Sequence, residues 1–312
     1  MNVGWVVGVP ASILIFLIGL YFVLNPERKE LNEIVRARLG GSYVHLSKGM
    51  THYALEGPAD GPVVVLIHGG ITPLVTWDEH VPALTRAGYR VLRYDHYGRG
   101  YSDRPYTGYD RALYRRQLLD LLDSLSLCEP VDLVGYSHGG GIAVNFAARY
   151  PKRILKIALI APIVHSFSLR PLLNPPVIGE FFARVTALRE APNLVKASIR
   201  DTSPDKRRAR LLFEQTTYKG FQRSLLSMAR TDAISGYLDD YRALGKQTCE
   251  VLLIRGERDS ETTQEAIEAV CKLVPQTEFH TIPENTHEVV FESPGLVCAL
   301  LVAFLKGRNR CW

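Results

Sequence analysis

Short apolar runs and stretches of mixed polarity alternate along most of this 312-residue chain. VVVLIHG (63–69), RVLRYDH (90–96), VDLVGYS (131–137), KIALIAP (156–162) and CEVLLIRGE (249–257) read as strands, with TEFHTIP (277–283) a weaker last one. Near-continuous Val, Ile and Leu is what a parallel strand covered on both faces requires. The stretches 110–127, 138–150, 262–274 and 293–306 have the length and periodicity of helices. Alternating strand and helix predicts an α/β architecture: a mostly parallel central sheet flanked by helices, with right-handed crossovers. Residues 43–47 and 50–56 are expected to form an antiparallel hairpin leading into it.

The alternation stops between Pro162 and about Leu244. There Val177, Ile178, Phe181, Phe182, Val185 and Leu188 share one helical face, with no strand between them. Insertions in an open α/β sheet usually hang at the strand carboxyl ends, above the ligand crevice. The expected organisation is therefore a core of residues 43–162 and 245–312 carrying a helical cap at 163–244. Phe181, Phe182 and Ile71 are its expected substrate contacts. The run Lys206–Arg210 reads most simply as a solvated helix face, and alternatively as a contact for anionic lipid headgroups.

Val3 to Leu24 holds no charge. As a helix it would extend roughly 33 Å, enough for a hydrocarbon layer of about 30 Å. Trp5 and Tyr21 lie near its ends, where interfacial aromatics collect. No basic stretch precedes the run and no small-x-small cleavage site follows it, which argues against a cleaved signal peptide. The expectation is a transmembrane anchor at 1–25, a linker at 26–42, and a single-pass membrane protein. Arg28, Lys29, Arg36 and Arg38 would keep the following domain in the cytosol. Leu31, Ile34, Val35 and Leu39 predict a short amphipathic linker helix, lying on the bilayer or docked on the domain.

Composition narrows the function classes. With 37 basic and 32 acidic residues, a net charge of +5 is too balanced for a dedicated nucleic-acid binder. The five cysteines are scattered without a C-x-x-C pair, so no zinc ribbon or thioredoxin-type site is expected. No metal-ligand cluster and no G-x-G-x-x-G spacing is evident, and no cofactor is implied. Nothing in the sequence sets the oligomeric state.

The chemistry concentrates at Gly135-Tyr136-Ser137-His138-Gly139. A strand precedes this G-x-S-x-G and a helix follows it, the setting that presents a nucleophilic serine above a sheet. A serine hydroxyl needs an imidazole base, itself oriented by a carboxylate. Of the histidines after Ser137, His165 precedes the cap and His280 lies within the last strand. His287 falls in the loop after that strand and is the expected base. Asp259 lies just beyond the strand 249–257 and is the expected acid, with Glu257 the second choice. Asp232 and Asp239 read as surface charges. Two backbone N–H groups should receive the oxyanion: His138, immediately after the serine, and Gly70 in His68-Gly69-Gly70, with Ile71 the alternative.

These features, together with Asp95-His96-Tyr97-Gly98-Arg99-Gly100-Tyr101-Ser102, resemble the α/β-hydrolase superfamily, specifically its capped serine hydrolases. The resemblance covers about Gly41 to Lys306 and implies a largely structural role for the Asp95–Ser102 loop. With an N-terminal anchor, the chain looks similar to membrane-bound monoacylglycerol-lipase-type hydrolases. Gly70 departs from the bulkier residue many relatives carry, and the cap sequence matches no particular subgroup. Ser137 excludes the aspartate nucleophile of haloalkane dehalogenases and epoxide hydrolases, and Ile71-Thr72 breaks the H-G-G-P-G of proline iminopeptidases. The expected activity is hydrolysis of carboxylic esters, of lipids such as monoacylglycerols by virtue of the anchor and the Phe181/Phe182 face. Cleavage of C–C, amide or thioester bonds with the same residues stays open, as does a catalytically inactive, membrane-tethered interaction protein.

Overall fold

The apolar runs become β1 (Ser42–Leu46), β2 (Gly49–Glu56), β3 (Val63–Ile67), β4 (Arg90–Tyr94), β5 (Val131–Tyr136), β6 (Ile154–Ile160), β7 (Glu250–Gly256) and β8 (Thr277–Ile282) of the computed structural model. It describes residues 16, 19, 21–166, 174–175, 178–183 and 203–307. The strands form one sheet in the order β1-β2-β4-β3-β5-β6-β7-β8. β1, β2 and β4 pair antiparallel, and every other neighbouring pair is parallel.

Alternation along β3 shows why the sheet is covered on both sides. Val65 and Ile67 join one core with Leu133, Ile157 and the helices Arg111–Ser124, His138–Arg149 and Gln264–Leu273. Val64 and Leu66 face the other way, into a second core with Val134, Ala158 and the helices Val81–Arg86 and Pro294–Lys306. Successive strand side chains point to opposite faces, so both registers must be apolar. Each such fully buried side chain contributes about 1.5–3 kcal/mol. The helix Val81–Arg86 went unread because six residues with Pro82 in the first turn carry too little periodicity.

Among the described residues between β6 and β7 the chain holds the helices Ser203–Gln215, Phe221–Arg230 and Leu238–Leu244 and no sheet strand. Val177, Val185 and Leu188 lie outside the described residues. The basic run 206–210 is not simply a solvated face. Arg208 is buried, paired with Asp205 at 2.5 Å and laid over the Phe291 ring at 3.9 Å, while Arg207 reaches Asp78 at 2.8 Å.

The N-terminal expectation requires correction. Among the described residues no helix is long and apolar enough to cross a membrane, which contradicts the expected single-pass membrane placement; the expected anchor at 1–25 falls largely outside the described residues. Of Val3–Leu24 only Phe16, Gly19 and residues 21–24 are described. The linker helix is present as Glu33–Leu39, capped by the Asn32 side chain, and it docks on the domain. Arg36 is buried there and donates to Asp103 and to the Tyr101 carbonyl. Upstream, Lys29 forms a parallel backbone bridge with Tyr218, and Glu27 accepts from the N–H groups of Gly220 and Gln222 at the start of the helix Phe221–Arg230. A carboxylate at that end answers both the unpaired amides and the helix dipole.

Asp95 joins three segments below the sheet's carboxyl edge. It accepts from His52 Nδ1 at 2.7 Å, Leu74 N at 2.8 Å and Tyr101 N at 2.8 Å, and is 1% exposed. Burial opposes its ionisation, but the charge and hydrogen bond of His52, the electrostatic influence of His68 and the Leu74 N–H hold the carboxyl below its ordinary range. Asp95→Ala leaves buried donors without an acceptor and is expected to cost about 3–5 kcal/mol. Urea denaturation of the two proteins checks this; a loss under about 1 kcal/mol would show that these bonds do not hold the loops.

Candidate active site

Ser137 sits between β5 and the helix His138–Arg149 with φ 52° and ψ −118°. That left-handed conformation costs a residue with a side chain about 1–3 kcal/mol and persists only where the surroundings over-determine it. They do so here. The Ser137 N–H donates to Ile160 O at 2.9 Å, and its carbonyl accepts from Gly140 N at 2.9 Å. A Cβ on Gly139 would lie 2.1 Å from Ile67 O, and one on Gly135 would lie 2.4 Å from Gly139 O. The two glycines of the motif are thus demanded by close backbone approach.

His287 Nε2 lies 3.0 Å from Ser137 Oγ, and His287 Nδ1 lies 3.0 and 3.2 Å from the two oxygens of Asp259. Asp259 Oδ1 also accepts from the N–H groups of Glu261 and Thr262, each at 2.8 Å. The loops beyond β7 and β8 are laced together by Glu257 N to Ile282 O (3.0 Å) and Arg258 N to Asn285 O (2.8 Å), which sets Asp259 and His287 side by side. Burial disfavours the Asp259 charge, yet His287 and the two amides outweigh it and hold the carboxyl below its ordinary range. Burial likewise opposes protonation of His287, but the hydrogen bond and charge of Asp259, with Glu261 and Glu288, raise its pKa.

The residues weighed as substitutes lie elsewhere in the network. His280 pairs with Glu278 on β8 at 2.6 Å, His165 is exposed, and Glu257 accepts from Glu284 N at 3.0 Å. Asp232 and Asp239 are both exposed, and Asp232 accepts from Arg111 N at 3.0 Å.

The loop after β3 lies against the serine turn. A Cβ on Gly69 would sit 3.6 Å from Ser137 Cβ, and one on Gly70 would sit 3.7 Å from His138 Cβ. Those are ordinary contacts at Gly70, so close packing does not demand a glycine there. As the first residue of its helix, His138 has an N–H with no intrahelical acceptor. Its imidazole is buried, its pKa pushed down to about 3 by that burial, which leaves a neutral ring edge-on to Tyr114.

Ile71 is 48% exposed on the same loop. Phe181 and Phe182 meet edge to face, 6.2 Å between centroids. Their turn is tied to the helix Phe221–Arg230 through Gln222 Nε2 to Glu180 O (3.1 Å) and Arg230 to Glu180 (2.7 Å), so the described polar contacts place them on the cap side. Among the described residues no group of three His, Cys, Asp or Glu side chains could hold a metal. Two features escaped the sequence reading. Glu261 places a carboxylate 3.5 Å from His287 Nε2, and Arg99 is 1% exposed behind the Gly70 loop. Glu261 follows Asp259 by two positions, the one signal that could have marked it.

The chain is similar to known hydrolases over most of its length. The chain is 28% identical over 269 residues to carboxylesterase YbfK of Bacillus subtilis strain 168, covering 85% of this chain and 87% of that one. It is 29% identical over 259 residues to 2-hydroxy-6-oxo-2,4-heptadienoate hydrolase of Pseudomonas putida, covering 80% and 91%. Among solved structures, a meta-cleavage product hydrolase from Pseudomonas fluorescens IP01 superposes with a TM-score of 0.69 at 26% identity, over 86% of this chain and 98% of that one. A family model described as alpha/beta hydrolase fold matches residues 62–294. The eight-stranded, mostly parallel sheet and this match together show that the chain belongs to the α/β-hydrolase-fold family of hydrolases.

Proposed function

We propose that the protein is a serine hydrolase of carboxylic esters working through an acyl-enzyme on Ser137. The observation that carries this reading is the continuous hydrogen-bonded series Ser137–His287–Asp259, with links of 3.0 Å, at the carboxyl edge of the sheet. In the first step His287 Nε2 takes the hydroxyl proton as Ser137 Oγ attacks the acyl carbon. The tetrahedral oxyanion is received by the backbone N–H of His138 and that of Gly70 or Ile71, at the positive end of the helix His138–Arg149. His287 then protonates the leaving alcohol, and water repeats the sequence on the acyl-enzyme. Asp259 stays ionised and fixes Nδ1–H as the donor to itself, leaving Nε2 free to act as base.

The carboxylesterase relative supports an ester as substrate. No membrane-crossing helix is found among the described residues, so the preference for a lipid ester rests on the apolar Phe181 and Phe182 pair alone. A second reading, hydrolysis of a C–C bond with the same three residues, is favoured by the similarity to 2-hydroxy-6-oxo-2,4-heptadienoate hydrolase.

A fluorophosphonate probe should label the wild-type protein and not Ser137→Ala. The same substitution should lower p-nitrophenyl ester hydrolysis by more than about 10⁴-fold. An unlabelled, folded wild type would overturn the reading, and a panel of short-chain esters, monoacylglycerols and dienoate diketones separates the substrate classes.

The acidic limb of kcat/KM should lie above pH 6.5, because only neutral His287 is a base and its pKa is raised. Glu261→Gln removes one raising charge, so the limb should move to lower pH. Asp259→Asn should cost about 10⁴ in kcat through the wrong imidazole tautomer. A limb that stays put in Glu261→Gln would show that this carboxylate does not act on the base.

A further inference from the structure

Three successive carbonyls in the loop after β3 are each held by a buried side chain. His68 Nδ1 lies 2.7 Å from Gly69 O, Arg99 Nε donates to Gly70 O, and Gln215 Nε2 donates to Ile71 O at 2.9 Å. The holders are themselves fixed. His68 Nε2 accepts from His96 N at 3.0 Å, which makes Nδ1–H the donor. Arg99 Nη1 donates to Ser224 Oγ at 2.8 Å and to Gly98 O at 3.0 Å, and Nη2 reaches Met228 Sδ at 3.5 Å. Gln215 Oε1 accepts from Gly100 N at 2.9 Å. His68, Arg99 and Gln215 are each at most 1% exposed.

A peptide is planar, so fixing its carbonyl also fixes the N–H on its opposite side. The carbonyl of Gly69 shares a plane with Gly70 N–H, and that of Gly70 with Ile71 N–H. These are the two alternative donors of the second oxyanion contact, in a loop whose two glycines would otherwise leave it conformationally free. Arg99 adds charge. Its hydrogen-bond partners are two carbonyls, a hydroxyl and a thioether, and among the described residues no carboxylate lies within ion-pair distance of it. An uncompensated buried cation is expensive unless negative charge develops nearby.

We infer that Arg99 and Gln215 are positioning residues for the oxyanion loop, and that the cap segment, through Gln215, Ser224 and Met228, completes the alignment of its N–H donors. This rests on the serine-hydrolase reading above. The two residues touch no substrate: Arg99 fixes the Gly70–Ile71 peptide and with it the Ile71 N–H, while Gln215 pins the carbonyl of the next peptide and so holds Ile71 from its other side. The segment 203–230 is then part of the transition-state machinery as well as a cover.

The test is steady-state ester hydrolysis by Arg99→Lys, Arg99→Met, Gln215→Met and Gln215→Glu. It is paired with inhibition by an alkylboronic acid, which becomes tetrahedral on Ser137, and by the matching planar carboxylic acid. Gln215→Glu keeps the acceptor for Gly100 N–H and loses the donor to Ile71 O. Removing an oxyanion donor outright costs about 10²–10³ in kcat, so misaligning one should cost about 10–100-fold. KM should stay within about twofold. The tetrahedral-to-planar affinity ratio should fall with kcat, and Arg99→Lys should recover part of what Arg99→Met loses. Folded variants with unchanged kcat, or with tetrahedral and planar inhibitors weakened equally, would overturn the inference while the hydrolase reading stands. A wild type inert to both ester and boronate would overturn both. If Arg99→Met does not fold, the two Gln215 variants decide the matter by the same ratio.

Discussion

The approach between the end of β3 and the first turn of the helix His138–Arg149 leaves no room for a methyl group: a Cβ on Gly139 would fall 2.1 Å from Ile67 O. That proximity dictates where Ser137 is held, because the turn reaches its helix only by taking φ 52° at the serine. It also sets the β3 loop against Ser137, so the oxyanion donors and hydroxyl of the proposed mechanism come from strands that are already neighbours in the sheet. His287 and Asp259 arrive from β8 and β7 on the other side. The sheet order thus places four loops around one point, and backbone contact at a glycine sets the spacing.

The interior behind that point is electrically unusual. His68, His96 and His138 are buried and held neutral by desolvation, with the pKa of His68 pushed down to about 4 and that of His96 well below its ordinary value. Their rings stack or meet edge-on, His68 to His96 at 3.7 Å and His96 to His138 at 5.8 Å. Arg99 keeps its charge among them. On the solvent side of His287 the sign reverses, with Asp259, Glu261 and Glu288 all acting on the imidazole. His287 therefore has three carboxylates acting on it, while the buried histidines behind Ser137 are neutral.

How much of this was legible in the sequence depended on whether a feature repeats a local rule. β3, β5 and β7 were readable because strands covered on both faces are apolar at every position. The G-x-S-x-G turn was readable because its glycines answer a local steric need. Gln215 was not, since the carbonyl it serves lies 144 residues away and a glutamine in a helix signals nothing. The structural role implied for the Asp95–Ser102 loop does not single out Arg99, and Arg208 reads as part of a solvated face, because only the tertiary structure shows that their guanidinium groups are buried. The apolar run at Val3–Leu24 misled for the opposite reason: hydropathy over one window was asked to decide a location.

The docking of residues 27–39 bears on how the chain must acquire its structure. The Lys219–Glu30 ion pair spans 189 positions, and the Gly220–Glu27 bond spans 193. During synthesis these early residues emerge long before their partners exist, and they gain nothing from docking until the segment around Tyr218 has been made. Contacts of such long separation form late and slow the search for the native state. A nascent chain could assemble β1 to β6 and still lack both the strap at its beginning and Gln215 against Ile71. The last steps of folding would then also be those that pin the loop after β3 beside Ser137, so under the proposed mechanism a half-folded molecule would carry the serine without a finished receptor for the charge it creates.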